Sequence, residues 1–312
     1  MFFKYLLTAL LTLVGTLVAD IADHFKPCLN KNAHHSMRNI DFIYMINLDE
    51  RPDRFEDCSN RLNPFGVYPY RFSAVNGWKL SLEVINDVGL KYAPWIGSGL
   101  MGTYYYLDED QTIQHAHEPI QKIGRTYFGH CVSRGAIAIV LSHLSVLQDA
   151  LDSGYETIWV MEDDIEVIRD PRVIPELIDK LDALVGKGNW DILFTDRDIR
   201  KRNGEYNPCY WAANRPNFTP WNPSIFAQRY AVSPDFQKIG ARWGAHSMIL
   251  RRSGMEKILH FIKVYRIFFP YDMDYIFPTD MDGDIQLYTV FEAIVSNQVD
   301  STSDNGGPSY SK

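Results

Sequence analysis

The sequence predicts an α/β fold with a mostly parallel central sheet and helices on both faces of that sheet. Short apolar runs alternate along the chain with amphipathic segments of helical period. Of the 312 residues, 46% are hydrophobic and 13% are aromatic, which is enough to form a large core. The same composition excludes a disordered or low-complexity chain.

The charge balance and the cysteine content exclude several classes of protein. Lys and Arg number 31 and Asp and Glu number 39, so the formal net charge is −8. Non-specific binding to duplex nucleic acid needs a basic face, so no nucleic-acid partner is expected. The four cysteines include no CxxC pair, which excludes a zinc ribbon and a disulfide-dense mini-domain.

The start of the sequence has the pattern of a targeting signal. An early lysine precedes an uncharged apolar run from Tyr5 to Ala19, which is shorter than the ~20 residues of a spanning helix. This predicts a signal peptide over residues 1–22, or an uncleaved anchor as the only membrane contact, and hence the secretory pathway or cell envelope. A single soluble domain over residues 38–300 and a loose polar tail over residues 301–312 are expected to follow. Export would permit disulfide bonds among Cys28, Cys58, Cys131 and Cys209.

The first part of the domain begins with one clear strand. The apolar run DFIYMINL at residues 41–48 predicts a buried strand, and the charged stretch after it predicts a helix to about Arg61. A second strand is predicted at residues 68–74. Residues 76–130 are rich in Gly, Tyr and polar side chains without a period, which predicts a long functional loop region with short helices.

The alternation of helices and strands becomes regular after Ser133. Apolar residues recur at three- and four-residue spacing from Ile137 to Leu151, which predicts an amphipathic helix that ends near Gly154. The aperiodic stretch at residues 196–235 predicts a loop. Further strands are predicted at residues 156–161, 191–195 and 245–250, and further helices at residues 174–184 and, capped by Ser253, to about residue 264.

Three adjacent carboxylates, Glu162, Asp163 and Asp164, follow the predicted strand at residues 156–161. In a parallel α/β sheet ligands bind at the carboxyl ends of the strands, so chemistry is expected here. A divalent cation would relieve the mutual repulsion of the carboxylates, and Mg²⁺ and Mn²⁺ prefer oxygen ligands and keep positions open for phosphate. The alternative is a solvated turn without a metal.

A second acidic pair, Asp272 and Asp274, follows the aromatic stretch at residues 268–271. Carboxylates among aromatic rings have raised pKa values and suit a general base, whereas the alternative is that they cap the next helix. The alternating acids at residues 280–284 do not fit a calcium loop, because Gly283 comes too early. We interpret them as a solvated turn.

Five short blocks follow one another in an order and spacing that characterise one enzyme family. They are residues 46–54 (INLDERPDR), 133–135 (SRG) with 141–143 (LSH), 160–164 (VMEDD), 190–193 (WDIL) and 270–272 (PYD). Together they resemble glycosyltransferase family 25, which includes lipooligosaccharide and procollagen galactosyltransferases. The resemblance covers roughly residues 40–275.

This resemblance implies an A-type glycosyltransferase fold, which is Rossmann-like, and a metal-dependent, inverting transfer of a sugar from a nucleotide-sugar donor. The implied donor is UDP-galactose, and the implied metal is Mn²⁺ or Mg²⁺. The implied acceptor is a glycan, a lipooligosaccharide or other lipid-linked saccharide, or a hydroxylated protein side chain. The metal would be held by Glu162, Asp163 and Asp164. The nucleotide would contact Asn47, Arg51, Arg54, His143 and Asp163. The acceptor-side base would be Asp272, with Asp274 and Asp196 as the other candidates.

Several of these residues have plain structural alternatives. Arg51 and Arg54 also suit a solvated helix start, and His143 also suits a buried core position. The stretches at residues 76–130 and 197–235 match no family block and are expected to shape the acceptor site. Three tryptophans could stack on sugars there or pack in the core: Trp211, Trp221 and Trp243.

Two other functions would use the same residues. A metal-dependent phosphoester or glycoside hydrolase would use the same carboxylates, and a retaining glycosidase would place two carboxyl groups about 5–5.5 Å apart. A catalytically inactive relative would bind glycan through its aromatic loops without a metal. The intact acidic triplet speaks against the inactive relative, and the hydrolase stays open.

Overall fold

The computed structural model describes residues 20–32, 34–130, 132–207, 209, 214–276, 284–298 and 303–307. The predicted signal or anchor segment lies outside this part of the chain up to residue 19. Cys131, Trp211 and residues 280–283 of the acidic turn also lie outside it. Among the cysteines that are described, Cys28, Cys58 and Cys209 are free thiols.

Strands and helices alternate through most of the described chain. The described strands are β1 (Phe42–Asn47), β2 (Tyr70–Ser73), β3 (Leu90–Lys91), β4 (Met101–Leu107), β5 (Ile113–Pro119), β6 (Thr126–Gly129), β7 (Thr157–Glu162), β8 (Ile165–Val167), β9 (Ile192–Phe194), β10 (Arg229–Ala231), β11 (Phe236–Ile239), β12 (Ser247–Arg251), β13 (Leu287–Val290) and β14 (Val295–Asn297). The described α-helices are α1 (Pro52–Leu62), α2 (Leu82–Val88), α3 (Arg134–Asp152), α4 (Ile174–Val185), α5 (Arg252–Tyr265) and α6 (Tyr271–Asp274).

Eight strands form the central sheet, in the order β10-β11-β13-β9-β12-β7-β1-β2. β1 pairs in parallel with both β2 and β7, and β13 pairs in parallel with β9. β12 lies between β7 and β9 and runs antiparallel to both, and the β10–β11 and β11–β13 pairs are also antiparallel. The prediction of a mostly parallel sheet is therefore wrong, and the sheet is mixed. The A-type fold that the resemblance implies stays a prediction.

The connections between strands explain this error. Parallel neighbours need a long crossover, usually a helix, and α1 supplies one between β1 and β2. Between β9 and β12 the described chain has no α-helix, only a short 3₁₀ turn and two small strands. The chain can therefore return in the opposite direction, which periodicity within each strand does not reveal.

Both faces of the sheet are covered by helices, as predicted. All six residues of β1 are buried. Its side chains alternate, so that Phe42, Tyr44 and Ile46 join one core and Ile43 and Met45 join the other. α3 and α5 pack on the first core, and α1 and α4 pack on the second. This burial on both faces is why the strand has a continuous apolar sequence.

The region at residues 76–130 corrects the predicted loop. It contains α2 and a second, four-stranded sheet in the order β3-β6-β4-β5, in which every pair is antiparallel. β5 is mostly exposed and has the polar sequence IQHAHEP, so it lacks the apolar run that marks a buried strand. The predicted cap of α5 is also wrong, because the Ser253 hydroxyl donates to Asp191 Oδ1 at 2.5 Å instead.

α3 is the central helix of the fold. Within the described residues it is the single helix long and apolar enough to cross a membrane, and 72% of that stretch is buried inside the protein. Ser133 precedes the helix and caps it by accepting a hydrogen bond from the backbone N–H of Ala136 at 3.0 Å. The helix packs against α5 and places His143 under the central strands.

Candidate functional site

The antiparallel strand β12 brings a histidine to the acidic end of β7. Glu162 ends β7 and lies beside Ile46 of β1 in the parallel register. β12 starts at this edge because it runs the other way, with Ser247 opposite Met161. The backbone N–H of Glu162 donates to the carbonyl of His246 at 3.0 Å, so the two residues face each other.

Glu162, Asp164 and His246 form a compact group of potential metal ligands. His246 Nδ1 lies 3.1 Å from Glu162 Oε2 and 3.7 Å from Asp164 Oδ1. One ligand atom from each residue lies within 4.8 Å of the other two. All three side chains are partly exposed, so an ion can reach them. Two carboxylates and one imidazole fit a divalent cation such as Mn²⁺, which accepts oxygen ligands and imidazole nitrogen.

The charged side chains in this group shift one another's pKa values. Burial by itself would lower the pKa of His246, but attraction to Glu162, with hydrogen bonds to Asp164 and Glu162, raises it to about 11. Burial would raise the pKa of Glu162, and attraction to the two histidines His246 and His143 holds it below its ordinary value. The protonated imidazole therefore supplies the positive charge that a bound cation would supply in its place.

Asp163 lies outside this group, although it lines the same cavity as Glu162 and Asp164. Its Oδ2 accepts a hydrogen bond from Asn47 Nδ2 at 2.6 Å, and its Oδ1 lies 3.3 Å from Arg54 Nη1. Burial raises the pKa of Asp163 to about 6, although Asn47 and Arg54 oppose the shift. The structure thus brings together two of the three predicted metal ligands and uses Asp163 to tie β7 to β1 and α1.

Of the other residues predicted near the nucleotide, Arg54 and His143 line the cleft beside this group, and Asn47 is buried. His143 is buried, its Nε2 lies 3.5 Å from Glu162 Oε1, and its ring stacks on Tyr271 at 4.0 Å between centroids. Asn47 also donates to the carbonyl of Arg51 at 2.7 Å, which fixes the start of α1. A cavity of about 120 Å³ lies beside His143 and Glu162. Its lining includes Arg54, Trp78, Gly135, His143, Glu162, Asp163, Asp164 and Asp304.

Asp272 differs from the other two predicted bases in its exposure. It is partly exposed, and its Oδ2 accepts a hydrogen bond from the backbone N–H of Gly244 at 2.9 Å. Burial raises its pKa, and the charge of Glu162 adds to that rise while His246 opposes it. A carboxylate with a raised pKa close to an acidic metal group suits the removal of a proton from an acceptor hydroxyl.

The two other predicted bases are enclosed in buried ion pairs. Asp274 pairs with Arg215 and accepts from the backbone N–H groups of Phe268 and Phe269, each at 3.1 Å. Asp196 pairs with Arg242 at 3.0 Å. Both aspartate side chains are 0% exposed, so neither can touch an acceptor in this arrangement.

Asp196 instead holds the backbone of His246, a potential metal ligand that the sequence did not predict. Its Oδ2 accepts the backbone N–H of His246 at 3.2 Å. Sequence reasoning missed His246 because it looked only after strands, and because it placed this residue inside the predicted strand at residues 245–250. The signal that could have found it is the Gly-Ala-His sequence just before a fully buried strand.

The tryptophans differ in their surroundings. Trp221 is exposed, and Trp243 is partly buried beside a second, mainly apolar cavity of about 560 Å³ that Met273 and Phe269 also line. Trp243 precedes Gly244, whose backbone N–H donates to Asp272, so this cavity lies near the Asp272 carboxylate.

Comparison with known proteins gives one consistent answer. Residues 40–276 match the family model described as glycosyltransferase family 25 (LPS biosynthesis protein). A "Glycosyltransferase 25 family member" of Aedes aegypti is 26% identical over 58% of this chain and 24% of its own length, and one of Drosophila pseudoobscura pseudoobscura is 21% identical over 73% of this chain and 32% of its own length. An "Inactive glycosyltransferase 25 family member 3" of Homo sapiens is 24% identical over 50% of this chain and 22% of its own length. The matched region is thus about a third or less of each relative.

Proposed function

Because the chain belongs to glycosyltransferase family 25, we propose that it transfers galactose from UDP-galactose, with inversion, to a hydroxyl group. The acceptor is a glycan, a lipid-linked saccharide or a hydroxylated protein side chain. The observation that carries the proposal is the group of Glu162, Asp164 and His246, which lies at the edge of the sheet where β1 and β7 end. An A-type fold is part of the same proposal, and a secretory location stays a prediction.

The proposed metal is Mn²⁺ or Mg²⁺, held by Glu162, Asp164 and His246. When bound, it would neutralise negative charge on the donor diphosphate. The protein's own residues do the rest of the positioning. Arg54 lines the cleft cavity and its guanidinium suits phosphate oxygens, while Asn47 fixes Asp163 and the start of α1.

Asp272 is the proposed base for a single displacement. Its carboxylate takes the proton of the acceptor hydroxyl while the acceptor oxygen bonds to the anomeric carbon of the donor. The bond from that carbon to the phosphate oxygen breaks, and the electron pair leaves with UDP. One displacement inverts the configuration, so one base is sufficient.

Release of UDP from a panel of UDP-sugars, with Mn²⁺ titrated, tests the proposal. We expect metal-dependent turnover of UDP-galactose, and a loss on the order of 100-fold or more in Asp164→Asn. Glu166→Gln is the matched control. Glu166 lies two residues further on in β8 and pairs with Arg197 outside the metal group, so this variant should keep its activity.

Three other results would change the conclusion. Release of free galactose at the same rate as UDP, whatever acceptor is added, would favour the hydrolase. UDP binding without turnover would place this chain with the inactive relatives. Absence of both binding and turnover for every UDP-sugar would refute the proposal in its UDP-dependent form.

A further inference from the structure

Residues 303–305 lie in the cleft cavity, although the sequence predicts a loose tail there. Arg51 Nη1 donates to Asp304 Oδ2 at 3.0 Å, and Trp78 Nε1 donates to the backbone carbonyl of Asp304 at 3.2 Å. The Asp304 side chain is only 10% exposed. We call residues 303–305 the cleft strap, because they line the cavity and contact residues from distant parts of the chain.

The N-terminus of α3 provides a close-fitting seat for the cleft strap. Ser133 Oγ lies 2.7 Å from the backbone oxygen of Asn305 and 2.5 Å from its Oδ1. A Cβ atom on Gly135 would lie 2.6 Å from the same backbone oxygen. Glycine at this position therefore makes room for the strap, and the strap fills the space that the missing side chain leaves.

The cleft strap adds a carboxylate to a cavity that is already acidic. Asp304 lines the same cavity as Glu162, Asp163 and Asp164. Like charges repel, so a diphosphate in this cavity and the Asp304 carboxylate would destabilise each other. Both are also good partners for an arginine. A donor diphosphate in the cavity would therefore compete with Asp304 for Arg51.

We propose that the cleft strap is an autoinhibitory contact, which a nucleoside diphosphate displaces when its phosphate replaces the Asp304 carboxylate on Arg51. The proposal rests on the proposed function and adds a form of regulation to the same site. A seated strap leaves only a fraction of the molecules competent to bind. The apparent dissociation constant of the ligand is larger than the intrinsic one by the inverse of that fraction.

Calorimetric titration of UDP into the full chain, with Mn²⁺ present, tests the cleft strap without relying on turnover. We expect Asp304→Asn, and the double variant Asp304→Ala with Asn305→Ala, to bind UDP roughly tenfold more tightly than the unchanged chain. Asp53→Asn is the matched control. Asp53 also pairs with Arg51, at 3.3 Å, but it is 66% exposed and lies outside the cavity lining. The affinity of the Asp53→Asn variant for UDP should therefore stay within about threefold of that of the unchanged chain.

The outcomes separate the two proposals. Equal or weaker UDP binding by the Asp304 variants would overturn the autoinhibitory strap and leave the proposed function standing, since weaker binding would make Asp304 a donor contact. An equal gain in Asp53→Asn would assign the effect to charge alone and also overturn the strap. Failure of the unchanged chain and every variant to bind UDP would overturn both proposals.

Discussion

Asp272 and Asp274 are only two residues apart in the same short helix, but their surroundings give them different roles. Asp272 is partly exposed and accepts one hydrogen bond from Gly244. Asp274 is fully buried, pairs with Arg215 and accepts two backbone hydrogen bonds. The sequence placed both in one acidic pair, and nothing in their spacing could separate them. The partner Arg215 comes from a loop without a recognisable pattern.

This difference predicts opposite effects of the same substitution. Asp272→Asn should lower kcat by roughly 100-fold or more, because an amide cannot take the proton. Its free energy of unfolding should change by less than about 1 kcal/mol, because Asn can still accept the bond from Gly244. Asp274→Asn should destabilise the fold by about 3–5 kcal/mol, because Arg215 becomes a buried charge without its counter-ion.

Steady-state kinetics and urea unfolding of both variants check the pair together. Each variant is the control for the other, since both remove one negative charge from the same short helix. A stable but inactive Asp274→Asn beside an active Asp272→Asn would show that the roles are reversed and would remove Asp272 as the base.

At the scale of elements, the sequence predicts the buried strands and the central helix α3 well, and it predicts the second sheet and the strand directions poorly. β1 and β7 are predicted closely because each is buried almost throughout and has a continuous apolar run. α3 is predicted from its apolar period. The second sheet is missed because its two longest strands lack a continuous buried apolar run: β5 is mostly polar and exposed, and β4 is buried at only some positions. The direction of β12 is missed because strand periodicity does not reveal whether a strand runs parallel or antiparallel to its neighbours.

The placement of β12 depends on a buried hydroxyl network. Trp159 Nε1 donates to Ser247 Oγ at 2.9 Å, and Ser247 Oγ lies 2.6 Å from Thr195 Oγ1. The network joins β7, β12 and the end of β9 next to His246. Ser247→Ala should lower the free energy of unfolding by about 1–3 kcal/mol, because the indole N–H loses its buried acceptor.

Chemical unfolding of Ser247→Ala beside Ser224→Ala tests this network. Ser224 is exposed and bonds to its neighbour Asn222, so the control should change stability by less than about 0.5 kcal/mol. Equal stability of the two variants would contradict a role of the network in holding β12 against β7.

At the scale of the whole molecule, the site combines segments that are far apart in sequence. The family blocks supply Asn47, Arg54, His143 and the acidic end of β7, and these were predicted because each block is local. The tertiary fold supplies the rest. His246 arrives on an antiparallel strand and the cleft strap arrives from near residue 304, so neither could be placed by motifs alone. The second sheet flanks the framework and, among the residues that the structure describes, contributes no side chain to the group of Glu162, Asp164 and His246.

The measurement that tests the central claim most directly is Mn²⁺ binding in the presence of UDP, followed by electron paramagnetic resonance. The unchanged chain, Asp163→Asn, Asp164→Asn and His246→Gln form the set. We predict that Asp164→Asn and His246→Gln each lose tenfold or more in Mn²⁺ affinity, roughly 1.4 kcal/mol or more, and that Asp163→Asn, which removes no proposed ligand, stays within about threefold. The unchanged chain should also show coupling of Mn²⁺ to an imidazole nitrogen, absent in His246→Gln. Affinity that depends on Asp163 and is indifferent to His246 would contradict the proposed metal site.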